Sequence, residues 1–151
     1  MTCDGLIPGG LPATVVGGTA RVAADAGRAP FYDHYDVRVR GTATGDLDGD
    51  GAPDAVVLLD CSPQPSNGIV QEVQIFSSTG SPLGGLPSPR TLQGSAILPP
   101  EYDPAGLSVQ HSEIVAAMRA YGPGDVHATG PSVPITVRWR FDGGRFVQVA
   151  P

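Results

Sequence analysis

Four aspartates fall within nine residues in the run Asp46-Leu47-Asp48-Gly49-Asp50-Gly51-Ala52-Pro53-Asp54. Oxygen-only donors at alternating positions suit a hard divalent cation, which takes about six to eight oxygen ligands. Counting from Asp46, side chains arrive from positions 1, 3, 5 and 9 (Asp46, Asp48, Asp50, Asp54), and Ala52 at position 7 can add its backbone carbonyl. Gly51 at position 6 permits the sharp turn that folds these oxygens onto one centre. Four like charges held so close repel one another unless a cation neutralises them. Asp-Gly runs with a proline also form turns without an ion, but the density of carboxylates favours a bound metal, with calcium the expected ion and a structural role.

The elements that hold such a loop follow from its flanks. An EF-hand needs a bidentate glutamate at position 12, and that position is Val57. The run from Ala55 to Leu59 is apolar and partly β-branched, and residues 35–40 alternate apolar and polar with period two, the pattern of a half-buried strand. The loop is therefore expected at the tip of a β-hairpin formed by residues 35–43 and 54–60.

Further strands are legible at 69–76, 107–110, 114–121, 135–141 and 146–149. The last two are joined by Asp142-Gly143-Gly144-Arg145, a hairpin signal. Residues 114–120 could also start a helix, but two strands about a polar turn at His111, Ser112 and Glu113 are preferred. Pro82, Pro87 and Pro89 exclude a central strand there, and Pro99 to Pro104 reads as a solvated turn. The fold expected is all-β: one antiparallel sandwich, barrel or curled sheet of about seven strands. An α+β fold with one short helix is the alternative. Residues 1–30, punctuated by proline and glycine around 7–12, are expected to be a loosely structured segment tethered to one calcium-braced domain at 31–151.

Through Asp46, Asp48, Asp50, Gly51 and Asp54 the loop resembles those of FG-GAP repeats, the calcium-binding strand-loop-strand units of integrin-type β-propellers. The chain carries one copy, whereas a propeller repeats its motif blade by blade. More broadly, the order of Cys3, the run 45–57, Cys61, residues 121–125 and the Trp-containing hairpin 138–144 is similar to secreted or lipid-anchored actinobacterial proteins of uncharacterised function. That resemblance implies an address and a fold more than an activity. It also implies a cysteine pair ahead of Pro131 and Ser132, where this chain has His127, Ala128 and Thr129.

At 151 residues the chain suits one domain. Hydrophobic residues make up 40% of it, which argues against a disordered chain despite the abundant glycine and proline. The loop aspartates account for −4 of the formal net charge of −6. Nucleic-acid binding, which leaves a basic footprint, gains no support. No apolar run is long enough for a transmembrane helix. Met1-Thr2-Cys3 lacks the features of a signal peptide, so any export segment is expected to precede Met1, with the protein secreted or anchored outside the cell membrane. Cys3 could be lipidated, but a Cys3–Cys61 disulfide is the preferred reading for two cysteines in an exported chain.

No nucleophile motif surrounds His34, His111 or His127, and no Cys/His spacing fits zinc. Glu101 and Asp103 could be imagined as a glycosidase pair, and Trp139, Tyr102 and Tyr121 as a sugar platform, yet an alternating strand makes Trp139 a core residue first. The function expected is thus a non-enzymatic, monomeric binding module for a protein or cell-envelope glycan. Its rival is a hydrolase or carbohydrate-active accessory domain that uses calcium to position substrate.

Overall fold

The protein is described from a computed structural model, which covers Cys3, residues 12–24 and residues 32–151. Much of the expected tethered segment, including residues 7–11, lies outside the described residues. Two antiparallel sheets face each other. The first contains β1 (Thr19–Ala23), β2 (His34–Gly45), β3 (Asp54–Gln64), β4 (Val70–Phe76) and β5 (Pro82–Gly85), side by side in chain order. The second contains β6 (Glu101–Gln110), β7 (Glu113–Ala120), β8 (Val133–Asp142) and β9 (Arg145–Gln148), again in chain order. The sheets are not closed into a barrel, and among the described residues the only helical element is a 3-10 turn at Pro89–Leu92. The fold is all-β, and the stretch that could have started a helix is β7.

Period-two alternation explains why β3 reads as an unbroken apolar run. Val56 and Leu58 point between the sheets, into a core shared with Ile114 and Met118 of β7, Val137 and Trp139 of β8 and Phe146 of β9. Val57, Leu59 and Cys61 point the other way, into a second cluster with Val37, Ala13 and Cys3. A strand buried on both faces has no solvated side to alternate with. The Cys3–Cys61 disulfide fastens the N-terminal end of the chain over that outer face, with the two Cα atoms 6.0 Å apart.

Two segments differ from the sequence expectation, residues 19–23 and Pro99 to Pro104. Residues 19–23, expected within the loosely structured segment 1–30, form β1 because β2 offers them an edge to pair with, Thr19 opposite Arg38 through Ala23 opposite His34. Pro82 enters β5, an edge strand, in keeping with the exclusion of a central strand there, since an edge tolerates a missing N–H. The Pro99 to Pro104 segment is the clear correction: β6 begins at Glu101 and runs through Pro104. It can do so because β6 is also an edge strand and its pairing with β7 is irregular between Tyr102 and Leu107.

The two sheets approach closely near the end of β2. A Cβ on Gly45 would stand 2.8 Å from Val109 Cβ of β6, so only glycine lets the strands meet there. This contact braces the root of the aspartate loop against the second sheet.

Candidate metal centre

The loop at residues 46–53 joins β2 to β3, and Gly45 and Asp54 are the last pair of the ladder before it. A long, regular hairpin thus delivers the two ends of the loop at fixed separation. Leu47 fixes the middle. Its side chain is 5% exposed and belongs to the core cluster with Val56, Leu58 and Val73, so an apolar plug inside a polar loop ties the loop to the sandwich. Leu47 is the one large apolar side chain between Asp46 and Asp54, and its anchoring role follows from its packing rather than from the spacing.

The loop backbone folds around its own carboxylates. Asp46 accepts from Gly49 N–H through Oδ1 at 2.7 Å and from Gly51 N–H through Oδ2 at 3.0 Å. Asp48 Oδ1 accepts from Asp50 N–H at 3.1 Å, and Asp50 Oδ1 from Ala52 N–H at 2.8 Å. Gly49 and Gly51 have φ of 82° and 85°, and a Cβ on either would meet no neighbour. Glycine is required there by backbone conformation alone.

These turns bring Asp46, Asp48 and Asp50 together, with one carboxylate oxygen from each lying within 4.8 Å of the others. Even in a water-like dielectric, two unit charges at that separation repel by about 0.9 kcal/mol per pair. The described backbone N–H donors satisfy part of each carboxylate, and an ionised carboxylate has about four lone-pair positions, so acceptor capacity remains.

Asp54 is placed differently from the other three. It is the one fully buried charged side chain among the described residues, at 0% exposure. Its Oδ2 accepts from Leu47 N–H at 2.8 Å, while its Oδ1 is buried without a hydrogen-bond partner. A buried carboxylate oxygen left unpaired is costly, and Asp54 stands outside the group of three whose oxygens lie within 4.8 Å of one another. Of the expected ligand set, the structure gathers three aspartates into one cluster, sets Asp54 at the base of the loop, and uses Ala52 N–H to hold Asp50 in place. The donors present therefore fit a hard cation, and they form a candidate acidic metal-binding group.

The other candidate residues do not converge on chemistry. Trp139, Tyr102 and Tyr121 are all buried, so none offers an open face for stacking on a sugar. Burial pushes the Tyr102 phenol well above its ordinary pKa and keeps it neutral. Glu101 accepts from Tyr121 Oη–H at 3.1 Å, and Asp103 Oδ1 caps Ala105 N–H at 3.1 Å. His34 lies 3.7 Å from Asp36 on β2, and His111 occupies a two-residue turn with φ of 52°.

Fold and site together define a class: a two-sheet antiparallel β-sandwich with an acidic loop at the tip of its central hairpin. Comparison with protein-family models, curated proteins and solved structures finds no match for this chain.

Proposed function

We propose that the protein is an exported, calcium-braced β module that works by binding, without catalysis, at a protein or cell-envelope glycan outside the cell. The carrying observation is Asp54 Oδ1, buried and unpaired at the base of a loop that clusters three further carboxylates. Asp46, Asp48, Asp50, the Ala52 carbonyl and Asp54 would hold the ion. It would neutralise the crowded carboxylates, give the unpaired Asp54 oxygen a coordination partner, and lock the β2–β3 hairpin to the core through Leu47. The resemblance of the loop to FG-GAP units and of the chain to secreted actinobacterial proteins belongs to this proposal.

A buried disulfide suits an oxidising compartment, and no helix among the described residues is long and apolar enough to cross a membrane. Both are compatible with an extracellular address. The hydrolase reading gains less support, because the aromatic residues it would need for substrate stacking are buried. A melt of the protein in calcium, magnesium or chelator tests the proposal. Calcium should raise the melting temperature, Asp48→Ala should abolish that rise, and identical melts in calcium and chelator would sink the brace.

A further inference from the structure

The second feature that the fold builds is a groove of about 600 Å³ at the opposite end of β3 from the aspartate loop. Its size lies within the range of about 300–1,000 Å³ typical of ligand clefts. Asp54 and Asp60 are six residues apart on β3, which at about 3.3 Å per residue separates the loop from the groove by about 20 Å. The groove is therefore independent of the metal site.

Its floor is fixed by a polar row across the first sheet. Arg40 is the extra residue of a bulge in β2, between Val39 and Gly41, and its Nε lies 3.4 Å from Asp60 Oδ2. Gln71 of β4 donates through Nε2 to Asp60 Oδ1 at 3.3 Å and accepts from Tyr102 N–H of the facing sheet at 2.7 Å. The side chains of this row are thus engaged with one another.

The backbone of β4 beside them is not covered. Val73 C=O accepts from Leu86 N–H, so Val73 turns its peptide groups toward β5. Peptide groups alternate sides along an antiparallel strand, and the β3–β4 register is unbroken from Cys61 opposite Val70 onward. Gln71, two residues before Val73, therefore presents its N–H and C=O to the same side. No strand among the described residues pairs there, because the β4–β5 ladder covers Gln74–Phe76, the Leu86–Val73 bond extends it by one step, and the chain then leaves through Pro87 and Pro89. Ile69, at 60% exposure, stands at the end of this open edge.

Charge narrows the occupant. In the groove lining, Arg40 is paired with Asp60, while Glu101 accepts from the neutral Tyr121 phenol and keeps its charge on the β6 wall. Arg90, exposed on the 3-10 turn that walls the groove, has no carboxylate partner among the described residues.

We infer that this groove binds an extended, acidic peptide segment of a partner protein, which adds as a short strand to the open edge of β4 at Ile69–Gln71 and sets a carboxylate against Arg90. Main-chain hydrogen bonds supply the affinity of such strand addition, and alternate side chains supply its selectivity. The inference deepens the binding-module proposal and rests on it for the existence of a protein partner.

The test uses the full chain, labelled with nitrogen-15, in calcium at about 0.15 M salt, where long-range repulsion from the acidic protein is largely screened. The probe is a blocked hexapeptide alternating valine and glutamate. Controls are the valine–lysine peptide, the valine–glutamate peptide with alternate backbone nitrogens methylated, and a chitin tetrasaccharide. The expected result is saturable shifts centred on the Ile69 and Gln71 amides. The lysine peptide should bind about tenfold more weakly, and Arg90→Glu should reverse that preference. Loss of binding on backbone methylation is expected as well.

Equal binding of the methylated peptide would overturn the inference. So would a response to the tetrasaccharide alone, concentration-dependent shifts at β4 without peptide (a second copy as the occupant), or no shift at millimolar peptide. Peptide binding in a protein whose melting ignores calcium would uphold the groove and remove only the brace. A calcium-dependent melt without peptide binding would do the reverse.

Discussion

Replacing Asp54 by asparagine should change the stability of this protein in opposite directions with and without calcium. Asp54 is fully buried, its Oδ2 holds Leu47 N–H at 2.8 Å, and its Oδ1 has no partner. Asparagine keeps an acceptor for Leu47 N–H and removes the charge, but it puts an amide NH2, again without a partner, where the buried Oδ1 stood. In chelator the substitution exchanges a buried, unpaired anionic oxygen for a buried, unpaired neutral NH2, a net relief of at most about 1–3 kcal/mol. For a domain of this size each kcal/mol shifts the melting temperature by about 2–4 °C, so Asp54→Asn should melt above the wild type by at most about 12 °C. Calcium at a hundred times its dissociation constant stabilises the wild type by about 2.7 kcal/mol, while the variant lacks one ligand and gains less. The order of melting should therefore reverse between about 10 mM calcium and excess chelator, as read by calorimetry or circular dichroism. If Asp54→Asn melts below the wild type by the same margin in both buffers, Asp54 serves only as the cap of Leu47, and the reasoning fails.

Other perturbations probe what surrounds the loop. Leu47→Ala removes a core side chain and should cost about 2–5 kcal/mol in urea unfolding, with calcium affinity falling because the loop loses its anchor. Replacing Cys3 and Cys61 by serine opens a closure of 58 residues and should cost about 4 kcal/mol on the chain-entropy account; an unchanged urea midpoint would contradict this. Asp125 accepts from Gly122 N–H, Ser132 N–H and Ser132 Oγ–H, and the backbone bond from Gly122 is the largest of the influences holding its pKa below the ordinary carboxylate value. A carboxyl group with a depressed folded pKa stabilises the fold above its ordinary pKa, and that contribution disappears as pH falls through the folded value. Asp125→Ala should therefore destabilise the protein at pH 7 and approach the wild type only as pH falls below the ordinary carboxylate range, a convergence that urea midpoints across pH would reveal.

The hairpin that carries the site is the part most legible in the sequence. Alternation at 35–40 marks β2, and the loop aspartates mark the turn. The continuous run at 55–59 is explained by β3 being buried on both faces. The Asp142–Arg145 hairpin was equally readable, since Gly143 and Gly144 take the positive φ values of 59° and 91° that a two-residue turn requires. What escaped is what depends on neighbours. β1 has too little pattern of its own and exists by pairing with β2. The proline-rich start of β6 looks like a turn unless its edge position is known. At the site, spacing assigned equal roles to four aspartates, whereas burial separates Asp54 from the exposed or half-exposed Asp46, Asp48 and Asp50. The groove beside β4 had no sequence signal, because an open strand edge is a property of where β5 stops.

The most direct measurement of the central claim is a calcium titration of chelator-stripped protein, followed through the amides of Gly49 and Gly51, both of which donate to Asp46. The account predicts saturable, one-site shifts with a dissociation constant of about 10⁻⁴–10⁻³ M, much weaker binding of magnesium, and loss of the response in Asp48→Ala. Amide positions that stay fixed up to tens of millimolar calcium, or that drift linearly without saturating, would contradict it.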